Sequence, residues 1–193
     1  VRADPVSLPA ISAALAPEEA LMVIVPGPRG THVMTVADGV LSWHRSPLSS
    51  ESIDLNVRRL LYFLGSKTTD DEGEEARWLD EVDGGKNGFD REAAYWMYEQ
   101  LIKPAQARLA GKTRLIVAAG GSLASLPFSV LVTAQPTGDG SDPQVLRDTA
   151  WLANDLALVQ IPSVQSFAFL RARRDNAGQP AALHPAGRAP RRG

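Results

Sequence analysis

The segment Arg114-Leu115-Ile116-Val117-Ala118-Ala119 sets five apolar side chains in a row and then stops at Gly120-Gly121. An alternating strand hides one face and wets the other; an unbroken apolar run this short reads as a strand covered on both faces. Residues 156–161 read as a second buried strand, and helical patterns lie between and after the two. Strand, helix, strand, helix defines an α/β chain with at least one parallel strand pair.

The front of the chain is β-like. Residues 20–25 form an apolar run that ends at Pro26-Gly27-Pro28-Arg29-Gly30, and residues 31–37 then set Val33 and Met34 beside Thr35 and Val36. Asp38-Gly39 then turns the chain into Val40-Leu41-Ser42-Trp43-His44. Asp-Gly between two β-rich runs is a hairpin signal, because glycine accepts positive φ without a Cβ clash. A three-stranded antiparallel meander is expected. Next, Ser49-Ser50-Glu51 supplies a hydroxyl cap and an early negative charge, and Ile53, Val57, Leu60, Leu61 and Leu64 share one helical face before Gly65. A second helix starts near Asp90, with Ala94, Met97, Tyr98, Leu101, Ala105 and Leu109 on one stripe, a kink at Pro104 and a cap at Gly111. Residues 135–143 read as loop. A closing helix over 163–174 is expected to turn Val164, Phe167 and Leu170 inward.

Composition narrows the function classes. The 193 residues contain no cysteine, which removes disulfides, thiolate metal sites and any Cys nucleophile. Twenty Lys and Arg against 22 Asp and Glu leave a formal charge of −2, too near neutral for general attraction to nucleic acid or anionic membrane. No apolar run reaches the ~18–20 residues that span a bilayer, and no secretion signal opens the chain, so a cytoplasmic protein is the default. The charge is uneven, however. Residues 70–83 are strongly acidic within an insert over 66–88, and residues 175–193 are rich in Arg, Ala and Pro. The division expected is a lead-in over 1–17, one domain over 18–174 and a disordered tail over 175–193.

Candidate chemistry is sparse. Ser122 follows two glycines and a buried strand, like a nucleophile elbow, but Ala124 replaces the glycine that the strained turn needs after the serine. The only histidine downstream is His184, in the tail. The plainer reading is a turn whose hydroxyl caps a short helix. Gly84-Gly85-Lys86-Asn87-Gly88 lacks the Ser or Thr of a phosphate loop, and Asp83 with Asn87 lacks two oxygen ligands of a calcium loop. His32 and His44 could face each other across the hairpin, yet two imidazoles without a third ligand make no zinc site. The four tryptophans, Trp43, Trp78, Trp96 and Trp151, are scattered and read as core or interface residues. No catalytic, cofactor or metal residue is assigned.

Several segments in order resemble the central block of CHAT domains, caspase-like domains found after tetratricopeptide repeats. They are Leu101-Ile102-Lys103-Pro104, Leu109-Ala110-Gly111-Lys112, Arg114-Leu115-Ile116-Val117 and Gly121-Ser122-Leu123-Ala124-Ser125-Leu126-Pro127-Phe128-Ser129-Val130-Leu131, with Leu152-Ala153-Asn154-Asp155 and Val159-Gln160-Ile161-Pro162-Ser163 after them. The family often has Pro-Asp-Gly where Ala119-Gly120-Gly121 stands here. The resemblance covers about residues 18–174 and implies a mixed, caspase-like sheet flanked by helices, incomplete at its carboxy-terminal side. It also implies a His-Gly and a Cys in that missing half, and no dyad carries over, because the chain has no Cys and His184 has no following Gly. The expected function is therefore a truncated, non-catalytic CHAT lobe for protein–protein interaction or scaffolding. Its partners would be a catalytic lobe, tetratricopeptide repeats or a regulatory protein, with no membrane and no nucleic acid. The alternatives are a free-standing serine hydrolase using Ser122 and a regulatory module docking a basic partner through the acidic loop 70–83.

Overall fold

The computed structural model describes residues 6–65 and 88–177. Five strands, β1 (Glu19–Val25), β2 (Thr31–Ala37), β3 (Val40–Ser46), β4 (Arg114–Ala119) and β5 (Ala157–Gln160), form one open sheet in the order β3-β2-β1-β4-β5. The first three make the expected antiparallel meander, and β4 and β5 join it in parallel. The sheet is thus mixed. Only two residues, Asp38 and Gly39, separate the paired Ala37 and Val40. Both have positive φ, 51° and 74°, the type I′ geometry whose twist matches that of the strands it joins.

One sheet face carries the main core. Ala20, Met22, Ile24, Val33, Ala37, Leu115 and Val117 meet α2 (Ser50–Phe63) and α3 (Arg91–Leu101) there. The cap of α2 is Ser49, whose Oγ accepts the Ser52 N–H at 3.1 Å; that of α3 is Asp90, whose carboxylate accepts the Ala93 N–H at 2.8 Å. Asp90 also pairs with Arg59, tying the two helices together. Ile53, Val57 and Leu60 of α2 are buried as their spacing predicts. Pro104 does more than kink its helix. Lacking an N–H and crowding the preceding turn, it breaks the segment into α3, a 3₁₀ turn over Lys103–Ala105 and the short α4 (Gln106–Leu109). The stripe Ala94, Met97, Tyr98, Leu101, Ala105 and Leu109 is buried throughout.

Beyond β4, two 3₁₀ turns, Gly121–Ser125 and Phe128–Val130, push Leu123, Leu126, Phe128 and Leu131 into that same core. Inside the stretch expected to be loop and just after it, α5 (Pro143–Arg147) forms, capped by Asp142; α6 (Leu152–Asp155) leads into β5.

The opposite face is covered more thinly. Leu21, Val36, Ile116 and Phe167 form a second, small cluster beneath α1 (Leu8–Ala14) and α7 (Val164–Ala177). Glu19, fully enclosed at the start of β1, accepts hydrogen bonds from Arg114 at 2.8 Å and Arg171 at 2.7 Å, so it clamps α7 to the sheet.

Two expectations need correction here. The run 156–161 was expected to be buried on both faces, but β5 is the edge of the sheet and three of its four residues are exposed. In α7, Phe167 is buried and Val164 packs beside it, whereas Leu170 is 63% exposed. Arg171, reaching Glu19, takes the inward position that Leu170 was expected to share. A hydrophobic run shows where a strand lies but not whether a neighbour covers its far side.

Candidate functional site

The residues singled out in the sequence do not converge. The Ser122 hydroxyl donates to the Asp54 carboxylate at 2.6 Å on the exposed surface, and no imidazole among the described residues is bonded to it. Behind it, a Cβ on Gly120 would lie 3.5 Å from Pro26 Cδ, so the glycine turn packs on a proline and forms no open cradle. His32 and His44 do not face each other. His32 pairs with Arg45 and His44 with Val33, a one-residue offset that sends the imidazoles to opposite faces of the sheet. Among the described residues, no group of three or more His, Asp or Glu could hold a metal ion, and no helix is long and apolar enough to cross a membrane. His184, Trp78, the acidic stretch 70–83 and the 84–87 part of the glycine-rich loop lie outside the described residues.

A cavity of about 530 Å³ is lined by residues 88–92 and 136–141. Arg91 and Asp139, which line it, are committed to the loop itself. Arg91 is buried and donates to the Gly138 carbonyl at 2.7 Å and the Thr149 hydroxyl at 3.3 Å. Asp139 accepts the Ser141 N–H at 2.9 Å and its hydroxyl at 2.8 Å, and these bonds hold its carboxyl below the usual range. These bonds build the loop and, among the described residues that line the cavity, leave no cation aimed at a ligand.

The feature without a structural use lies on the thinly covered sheet face. Strand register arranges it in cross-strand rows: Leu41, Val36, Leu21, Ile116 and Val159; then Trp43, Met34, Val23 and Ala118; then Arg45, His32 and Val25. Helical cover protects the middle of the first row and ends before β3. Trp43 is 68% exposed, Leu41 47% and Val25 46%. The His32 ring stands 6.3 Å from the Trp43 ring, and Arg45 turns its guanidinium back onto the Arg29 carbonyl. The result is an apolar strip along a sheet edge that no described strand pairs, centred on an indole that the described residues leave in water. A scattered tryptophan gives no such signal in sequence; the alternation Leu41, Trp43, Arg45 in a strand next to a turn is the trace of it.

No family model and no curated protein matches the chain. Solved structures that it is similar to include the Alp12 filament structure (10% identity, 88% of this chain and 50% of that one, TM-score 0.36) and the apo psk41 ParM protein (10%, 88% and 48%, 0.31). A third is Bacillus thuringiensis ParM in apo form (14%, 86% and 46%, 0.35). The chain spans about half the length of these structures. At such TM-scores the likenesses assign no activity.

They do correct the expectation drawn from CHAT domains, since the matching structures are a filament and ParM proteins and none of the three is caspase-like. The non-catalytic CHAT lobe, its catalytic-lobe and repeat partners, the Ser122 hydrolase and the acidic-loop module fall with it. The physical reason is visible in the block 121–131. Its leucines, proline and phenylalanine are what any short connection needs to fold back under a central strand, so the pattern reports packing and not ancestry.

Proposed function

We propose that this chain works by protein–protein association through the β3 side of its thinly covered sheet face. The observation that carries this reading is Trp43, an exposed indole flanked by Leu41 and Met34 beside a strand edge that is unpaired among the described residues. Large aromatic side chains supply area at little entropic cost and concentrate at interface centres. The partner chemistry that fits is an extended protein segment, able to bond to the β3 backbone and lay apolar side chains over the indole.

Replacing Trp43 with a photoreactive benzophenone amino acid tests this. Illumination in the producing cell is expected to yield a covalent adduct with one protein, identified by mass spectrometry, while the same residue at Glu51 on α2 yields none. Absence of an adduct at position 43, or equal adducts at both positions, overturns the reading.

A further inference from the structure

We infer that the partner of β3 is the β3 of a second copy of this chain, paired antiparallel about a two-fold axis through Trp43; this rests on the reading just given. A two-residue type I′ turn closes on a hydrogen-bonded pair, here Ala37 and Val40. Bonded and non-bonded pairs alternate along an antiparallel ladder, so Val40, Ser42, His44 and Ser46 direct their N–H and C=O groups toward β2. Leu41, Trp43 and Arg45 direct theirs outward, and their side chains all lie on the thinly covered face.

That outward set is symmetric about Trp43, the middle residue of the seven in Val40–Ser46. Setting Trp43 opposite its own copy puts Leu41 opposite Arg45 at both ends. Every outward N–H then meets an outward C=O, which self-pairing in any register offset by one residue cannot achieve. The two Arg45 side chains fall at opposite ends of the joint and do not repel each other closely. The two indoles meet at its centre, where burial is deepest.

The strand's own sequence also lacks the usual protections of an edge. It contains no Pro, no Lys and no bulge in its one-to-one pairing with β2, and its single charge, Arg45, is drawn back onto the Arg29 carbonyl. A heterologous joint with β5 is less suited, because β5 has four residues and is built for parallel neighbours.

The test exploits the absence of cysteine. Full-length Leu41→Cys and Arg45→Cys chains, each with Trp43 intact, are mixed and treated with a short bismaleimide. Cross-linking is expected between a Leu41→Cys chain and an Arg45→Cys chain, and not within either chain alone. Sedimentation equilibrium is expected to show a dimer whose dissociation constant rises by on the order of tenfold or more in Trp43→Pro, which removes one outward N–H from each copy and no bond to β2. Trp43→Thr keeps that N–H and removes the indole, and is expected to weaken the dimer as well. A monomeric parent, an open-ended polymer, or cross-links within the Leu41→Cys chain alone overturn the two-fold pairing. If the benzophenone at position 43 captures a different protein, the two-fold pairing fails and the proposed function stands; if it captures nothing, both fail.

Discussion

Glu19 shows how one side chain can hold two layers together. Burial pushes its carboxyl upward, but the Ala16 N–H and the guanidinium groups of Arg114 and Arg171 outweigh that and hold it below the ordinary 4.5. A depressed carboxyl contributes stability above its unfolded value and loses it as pH falls through the folded one. Glu19→Gln is therefore expected to cost about 2 kcal/mol at pH 7, read by urea unfolding, and the gap to the parent should close in acid below 4.5. Both arginines reach solvent and can rehydrate, which keeps the cost below that of a fully buried pair. His44 runs the other way. Burial presses its imidazole below the ordinary 6.5, against the pull of the Leu101 and Gln100 carbonyls. The unfolded chain then takes up a proton that the folded one refuses, so stability declines as pH drops below 6.5. Replacing His44 with Gln should flatten that part of a thermal-melt series; an unchanged slope would show that another group is responsible.

Helix ends and helix faces differ in how far local sequence decides them. The N-cap of α2 is local: Ser49 Oγ meets the Ser52 N–H three residues on. Its replacement by Ala should cost about 1 kcal/mol in chemical denaturation, whatever the surroundings. The face of α7 is not local. Phe167 inserts beside Leu21 and Ile116, while Leu170 three residues later stands in solvent. Phe167→Ala should destabilise by about 3 kcal/mol, and Leu170→Ala should stay within about 0.5 kcal/mol. Equal losses at the two positions would mean that α7 is rotated from the placement described. The hairpin and β4 were legible because turn chemistry and a short apolar run are properties of neighbours in sequence. The break at Pro104 was legible as a disturbance; its extent was not, because whether α3 resumes depends on what lies beneath it.

Across the whole molecule, stability should grade from the middle of the sheet to its edges. Backbone amides in β1 and β4, flanked by strands on both sides, are expected to exchange slowest with deuterium. In β3 the pattern should alternate: slow at Ser42 and His44, and fast at Leu41, Trp43 and Arg45 in dilute monomer. Uniform protection along β3 at the lowest concentration would mean that its edge is already covered within one chain. The amino-acid sequence by itself determined the α/β class, the meander, the main helices and most of the buried positions, because periodicity and turn residues act over a few neighbours. It misled on the CHAT likeness, since apolar connections under a central strand look alike in unrelated folds. Only the tertiary arrangement decided that β5 ends the sheet, that His32 and His44 part to opposite faces, and that Trp43 stays in water. Each depends on which strand lies next to which and where helical cover stops, and those are relations between segments far apart along the chain.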